Sequence, residues 1–158
     1  MNTTTKKSWR EIERKFLLKR QPDRLNKFPH DLITQGYLAA GLGGVQVRLR
    51  RKGDVCSLAF KREARGGREE REIRLEKMQF DTLWPATAGR RLTKMRYEVP
   101  WKKHLIEIDV YRGRHRGLVV AEVEFRSQKS CAAFTPPDWF GRDVTGEKKY
   151  SNIALAHD

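Results

Sequence analysis

Ionisable and aliphatic residues alternate with a period of two in one short segment after another of this chain, and that parity restricts its fold more than any other feature. In Glu11-Ile12-Glu13-Arg14-Lys15-Phe16-Leu17-Leu18, the residues Glu11, Glu13 and Lys15 share one side, while Ile12, Phe16 and Leu18 share the other. One such strand has an ordinary explanation, a solvated outer face. Recurrence changes the reading. Residues 33–38 form a second strand, ended by Gly41, Gly43 and Gly44. Residues 45–51 form a third, with Gln46, Arg48 and Arg50 on one face. Lys52-Gly53-Asp54 makes a hairpin turn, and residues 55–62 return with Ser57, Ala59 and Lys61 opposite Cys56, Leu58 and Phe60. Further on, Glu70, Glu72 and Arg74 alternate with Arg71, Ile73 and Leu75. Lys94, Arg96 and Glu98 share a side of residues 92–99, and Glu107, Asp109 and Tyr111 oppose Ile106, Ile108 and Val110. Glu122, Glu124 and Arg126 alternate with Val123 and Phe125 in the last strand, residues 118–126.

Two stretches leave this period. Residues 77–84, with Met78, Phe80, Leu83 and Trp84, suit a short helix docked on an apolar surface and closed by Pro85 and Gly89. Ser127 is placed to cap a second helix over residues 128–134, stopped by Pro136-Pro137. Residues 138–144 read as loop and 147–156 as a final helix.

Eight antiparallel strands should curl or close. Short apolar helices need an apolar surface to cover, so the aliphatic face belongs outside and the charged face lines a lumen. The expectation is a mainly β (α+β) fold: an eight-stranded antiparallel closed β-barrel tunnel with a charged lumen, covered by a few short helices. It forms a single domain over residues 1–158, with a core at about 9–156. A bore of roughly eight strands suits side chains or one small ligand. An outer-membrane barrel shares this inversion, but the interspersed helices, the charged turns and the lack of an apolar export segment in residues 1–10 argue against it. No apolar run is long enough for a membrane helix, and two cysteines make no disulfide framework, so a cytoplasmic location is expected.

The net charge of +14 points to a polyanion. Lys15, Arg48, Arg50, Lys61, Lys94 and Arg96 all fall on the inward parity. Like charges about 4 Å apart repel by roughly 4 kcal/mol at an effective dielectric near 20, a cost that a bound polyanion removes. Glu11, Glu13, Asp109, Glu122 and Glu124 share that parity and repel one another unless a cation sits among them. Hard oxygen donors suit Mg²⁺ or Mn²⁺ held together with phosphates.

The same residues carry a resemblance. Glu11-Ile12-Glu13-Arg14-Lys15 resembles the ExExK signature of the CYTH, or triphosphate tunnel metalloenzyme, superfamily. The likeness continues through Gln35-Gly36-Tyr37, Arg48-Leu49-Arg50, Lys61, Glu70-Arg71-Glu72, Trp84-Pro85-Ala86-Thr87, Lys94-Met95-Arg96, Glu107-Ile108-Asp109 and Glu122-Val123-Glu124. It covers nearly the whole chain from residue 9, and the length is similar to that of short bacterial inorganic triphosphatases. The resemblance implies metal-dependent hydrolysis of a triphosphate, in the first place tripolyphosphate to pyrophosphate and phosphate. Asp109, Glu122 and Glu124 would hold one Mg²⁺ or Mn²⁺, and Glu11 and Glu13, with Glu124 shared, a second. Arg48, Arg50, Lys61, Lys94 and Arg96 would cradle phosphate oxygens, Glu72 matches a tunnel acid, and Lys15 with Tyr37 would stand near the nucleophile.

Related chemistries compete with this reading: cyclisation of ATP by a class IV-type adenylyl cyclase, or hydrolysis of thiamine or nucleoside triphosphates. A binding role without chemistry would use the basic residues outside the inward set, Lys6, Lys7, Arg10, Lys102, Lys103, Arg112, Arg114 and Arg116, to hold RNA or polyphosphate. No nucleic-acid motif accompanies them. A homodimer is compatible with the sequence, although no apolar stripe is left over to form its interface.

Overall fold

Alternation becomes nine strands among the described residues. The computed structural model describes residues 12–41, 44–64 and 67–157, so Glu11 and Trp9 lie outside it. The strands are β1 (Ile12–Leu18), β2 (His30–Ala40), β3 (Gln46–Lys52), β4 (Val55–Ala64), β5 (Gly67–Leu75), β6 (Arg91–Trp101), β7 (His104–Tyr111), β8 (Val119–Phe125) and β9 (Phe140–Asp143). Three short helices accompany them: α1 (Lys77–Leu83), α2 (Gln128–Ala132) and α3 (Asn152–Ala156). The fold is mainly antiparallel β with few helices.

The chain divides into two compact units. One comprises residues 33–93 and the C-terminal segment from Asn152, with strand order β5-β4-β3-β2. Its registers put Tyr37, Arg48, Ala59 and Glu72 in one cross-strand row, and Gln35, Arg50, Ser57 and Arg74 in the next. Leu49 and Cys56 occupy the opposite face, where Phe80 of α1 covers them together with Leu38, Leu58, Leu75 and Trp84. Phe80 and Trp84 stack with ring centroids 5.1 Å apart. The helix over 77–84 was expected to dock on apolar surface, and this is that surface.

The second unit comprises residues 12–32 and 94–151, with strand order β6-β7-β8-β1-β9. Phe16, Ile106, Ile108, Val123 and Phe125 turn to one side and pack against Phe134, Trp139 and Phe140. Ser127 caps α2 by accepting from the Ser130 N–H, as the sequence indicates. In each unit the aliphatic parity is covered, and the charged parity lies on that unit's other face.

The expected count of eight strands is corrected to nine. Residues 138–144 read as loop because β9 is four residues long and shows no alternation. Its place is set by the edge of β1, with Phe16 opposite Asp143 and Leu18 opposite Phe140. A Cβ on Gly141 would lie 2.9 Å from the Leu17 carbonyl oxygen, so glycine permits that close approach. The expected final helix over 147–156 is also interrupted. A 3-10 turn at Lys148–Tyr150 and α3 are separated by Ser151, whose backbone is extended.

Candidate active site

In the second unit the parity of β6, β7, β8 and β1 builds a ladder of acids and bases. Lys94 faces Tyr111, Arg96 faces Asp109 and Glu98 faces Glu107 across β6 and β7. Glu107 faces Glu122, and Glu122 and Glu124 in turn face Lys15 and Glu13. Lys94 and Asp109 are fully buried, and the Lys94 ammonium donates to Asp109 Oδ2 at 2.6 Å. Arg96 grips the same carboxylate with two hydrogen bonds of 2.7 Å, reaches Glu107 at 2.6 Å and lies 3.7 Å from Glu122. Lys15 pairs with Glu122 at 2.9 Å.

Burial would raise the Asp109 carboxyl, but the adjacent Lys94 and Arg96 overcome it and hold Asp109 well below the ordinary carboxylate range. Burial acts likewise on Glu122, and Lys15 and Lys94 pull it down. Lys94 is pushed down to about 8 by desolvation, with Arg96 adding to the effect and Asp109 and Glu122 opposing it. Desolvation also works against the Arg96 cation, yet Asp109 and its hydrogen bonds raise that group above its ordinary value.

The first unit presents a more basic face. Arg48 is buried and meets Glu72 at 3.5 Å, Arg50 donates to Gln35 at 3.3 Å, and Lys61 lies 3.3 Å from Glu70. Tyr37 is buried beside Gln35, whose amide donates to its hydroxyl at 3.4 Å. Burial raises the Tyr37 phenol, with Arg48 and Arg50 opposing it, so the hydroxyl keeps its proton at neutral pH.

This side is organised from behind. A Cβ on Gly36 would sit 2.6 Å from the Thr87 side chain, so glycine lets the Trp84–Thr87 turn lie on β2. The Tyr37 N–H donates to the Arg90 carbonyl at 3.0 Å, and Arg91 donates to both Thr87 Oγ1 and the Trp84 carbonyl at 2.8 Å. Gln35-Gly36-Tyr37 thus offers two polar side chains to one face and, at Gly36, a slot that Thr87 fills on the other.

Of the residues expected from sequence, Lys15, Glu13, Lys94, Arg96, Asp109, Glu122 and Glu124 fall on the charged face of the second unit. Tyr37, Arg48, Arg50, Lys61 and Glu72 fall on that of the first, and Glu11 lies outside the described residues. Sequence reasoning left out Glu107, Gln35 and Glu70. Each had a signal, since Glu107 shares the parity of Asp109, Gln35 that of Tyr37, and Glu70 that of Glu72.

A cleft of about 700 Å³ opens in the second unit beside Glu107, Glu122 and Glu124, with Lys103 and Arg126 also lining it. Glu13, Glu122 and Glu124 supply the hard oxygen donors that Mg²⁺ or Mn²⁺ takes, and Glu13 stands directly opposite Glu124 in register. Among the described residues no three such side chains converge as a ready-made ligand group, and both Asp109 oxygens are engaged by Lys94 and Arg96. The donor chemistry suits a hard divalent cation, but Glu13, Glu122 and Glu124 are not gathered into a preassembled ligand group.

No family model matches the chain. An inorganic triphosphatase from Nitrosomonas europaea is 44% identical over 149 residues, 92% of this chain and 96% of that protein. The chain belongs to the CYTH superfamily, with the short bacterial inorganic triphosphatases. A crystal structure of an inorganic triphosphatase, 41% identical, superposes on this CYTH chain with a TM-score of 0.74, covering 94% of this chain and 95% of that one. A putative adenylate cyclase from Bacillus halodurans shares the fold alone, at 18% identity and a TM-score of 0.60 over 78% of this chain and 84% of its own. Among the described residues no helix is long and apolar enough to cross a membrane.

Proposed function

We propose that this protein hydrolyses inorganic tripolyphosphate to pyrophosphate and orthophosphate with Mg²⁺ or Mn²⁺, in a single domain whose charged faces line a closed tunnel. The observation that carries the reading is the burial of Arg48, Lys94 and Arg96 on faces to which β1 to β8 contribute ionisable groups. Cations withdrawn from water there interact with a polyanion more strongly than they could in solvent.

Arg48, Arg50, Lys61, Lys94 and Arg96 hold the phosphate oxygens and offset the charge that develops on the leaving pyrophosphate. Glu13, Glu122 and Glu124, joined by Glu11, provide two places for the metal; for Asp109 to join them, one of its oxygens must leave Lys94 or Arg96. A divalent cation supplies Lewis-acid polarisation of phosphate oxygens and a more acidic water. Tyr37, kept protonated, donates a hydrogen bond, and Lys15 donates from the opposite charge environment beside Glu122. Water attacks a terminal phosphorus, the bridging P–O bond breaks, and the proton leaves to solvent. Glu72 orients Arg48.

The test is orthophosphate release from tripolyphosphate, ATP and thiamine triphosphate with each metal. Tripolyphosphate should give the highest kcat/KM, and cyclic AMP as the main product from ATP would overturn the reading.

A further inference from the structure

Lys15 is held at three points by one stretch of chain. The Val144 N–H donates to the Lys15 carbonyl at 2.8 Å, the Lys15 N–H donates to Thr145 Oγ1 at 3.0 Å, and the Lys15 ammonium donates to the Tyr150 carbonyl at 3.1 Å. Both peptide groups of Lys15 therefore point toward residues 144–145. By the alternation of an antiparallel ladder, Lys15 and Glu122 form the non-hydrogen-bonded pair across β1 and β8, the kind whose side chains stand closer. That places the ammonium against Glu122.

Thr145 takes over where β9 ends. Its hydroxyl accepts from Lys15 and donates to Asp143 Oδ1 at 2.5 Å, and its N–H donates to the same oxygen at 2.9 Å. The other Asp143 oxygen accepts from Arg14 at 2.9 and 3.1 Å. Gly146, at φ +77°, then turns the chain toward Tyr150. An ammonium has three hydrogens. Among the described residues Glu122 and the Tyr150 carbonyl take two, which leaves the third to donate to a phosphate oxygen.

We infer that Thr145, locked by Asp143, is a positioning residue for Lys15, setting the backbone from which its ammonium is aimed. The inference rests on Lys15 acting in turnover, and a double-mutant cycle separates the two. The measurement is kcat and KM for tripolyphosphate with Mg²⁺ in the wild type, Thr145→Val, Thr145→Ser, Lys15→Ala and the Lys15→Ala/Thr145→Val pair. Thr145→Val should lower kcat about tenfold, since small misplacements of reacting groups cost factors of this order, and should change KM less than about threefold. Thr145→Ser, which keeps the hydroxyl, should restore kcat. In the Lys15→Ala background Thr145→Val should cost nothing more. An equal loss in both backgrounds would mean that Thr145 acts through the fold, and wild-type kcat in Thr145→Val would likewise overturn the inference. Wild-type kcat in Lys15→Ala would instead remove the role of Lys15, and the inference with it.

Discussion

The two charged faces are built from the same parity but solved differently. In the second unit, acids and bases alternate across strands and close into short bonds around a fully buried Lys94 and Asp109. In the first unit, Arg48 lies 3.5 Å from Glu72, Arg50 3.3 Å from Gln35 and Lys61 3.3 Å from Glu70, and Glu72 keeps 44% of its side chain exposed. A buried ion pair is costly to form and very costly to break on one side, whereas an exposed one contributes little. One face is therefore rigid scaffold, built on ion pairs that are costly to break. The other includes a half-exposed acid, Glu72, beside the buried Arg48.

The largest effect should come from the rigid face. Asp109→Ala removes the buried carboxylate that Lys94 and Arg96 share and should destabilise the fold by roughly 3–5 kcal/mol, read as a lowered denaturation midpoint in urea. Next comes Gly36→Ala, whose Cβ meets Thr87 at 2.6 Å. It should cost about 1–3 kcal/mol as an overpacking change and lower activity by moving Tyr37; a wild-type melt would show that the turn behind β2 is not seated as described.

Raising pH through about 8 deprotonates Lys94. KM for tripolyphosphate should rise up to about tenfold over two units, the scale of one lost charge-assisted contact, while the arginines of the first unit keep their charge. Stability moves the other way for this group: with its folded value depressed, the unfolded chain binds the extra proton, so its contribution improves with rising pH. A flat KM from pH 7 to 9.5 would remove Lys94 from the phosphate cradle. Smallest of all, Glu72→Ala should change stability by no more than about 1 kcal/mol; a loss matching that of Asp109→Ala would erase the contrast between the faces.

Acid should weaken the second unit. Asp109 and Glu122 have depressed folded values, so their stabilisation is present above the ordinary carboxylate range and is lost as pH falls through and below it.

Strand parity was legible because alternation is local, and it placed Lys94, Arg96, Asp109 and Glu122 on one face without any knowledge of their partners. What it could not show is which cation takes which acid, since Arg96 divides itself among Asp109, Glu107 and Glu122 through long-range register. Strand β9 was hidden for a related reason: its four residues owe their conformation to the edge of β1 and to the absence of a side chain at Gly141. The contact of Thr145 was hidden as well, because nothing in Val144-Thr145-Gly146 announces that its hydroxyl accepts from the Lys15 N–H.

On the function proposed above, charged residues of each unit take part in tripolyphosphate hydrolysis. The most direct test is kcat/KM for tripolyphosphate with Mg²⁺ in Arg50→Ala, from the first unit, and in Glu122→Ala, from the second. Each should fall by about 10²-fold or more, the scale for losing an electrostatic contact to the transition state. A value within twofold of wild type for either one would contradict that proposal.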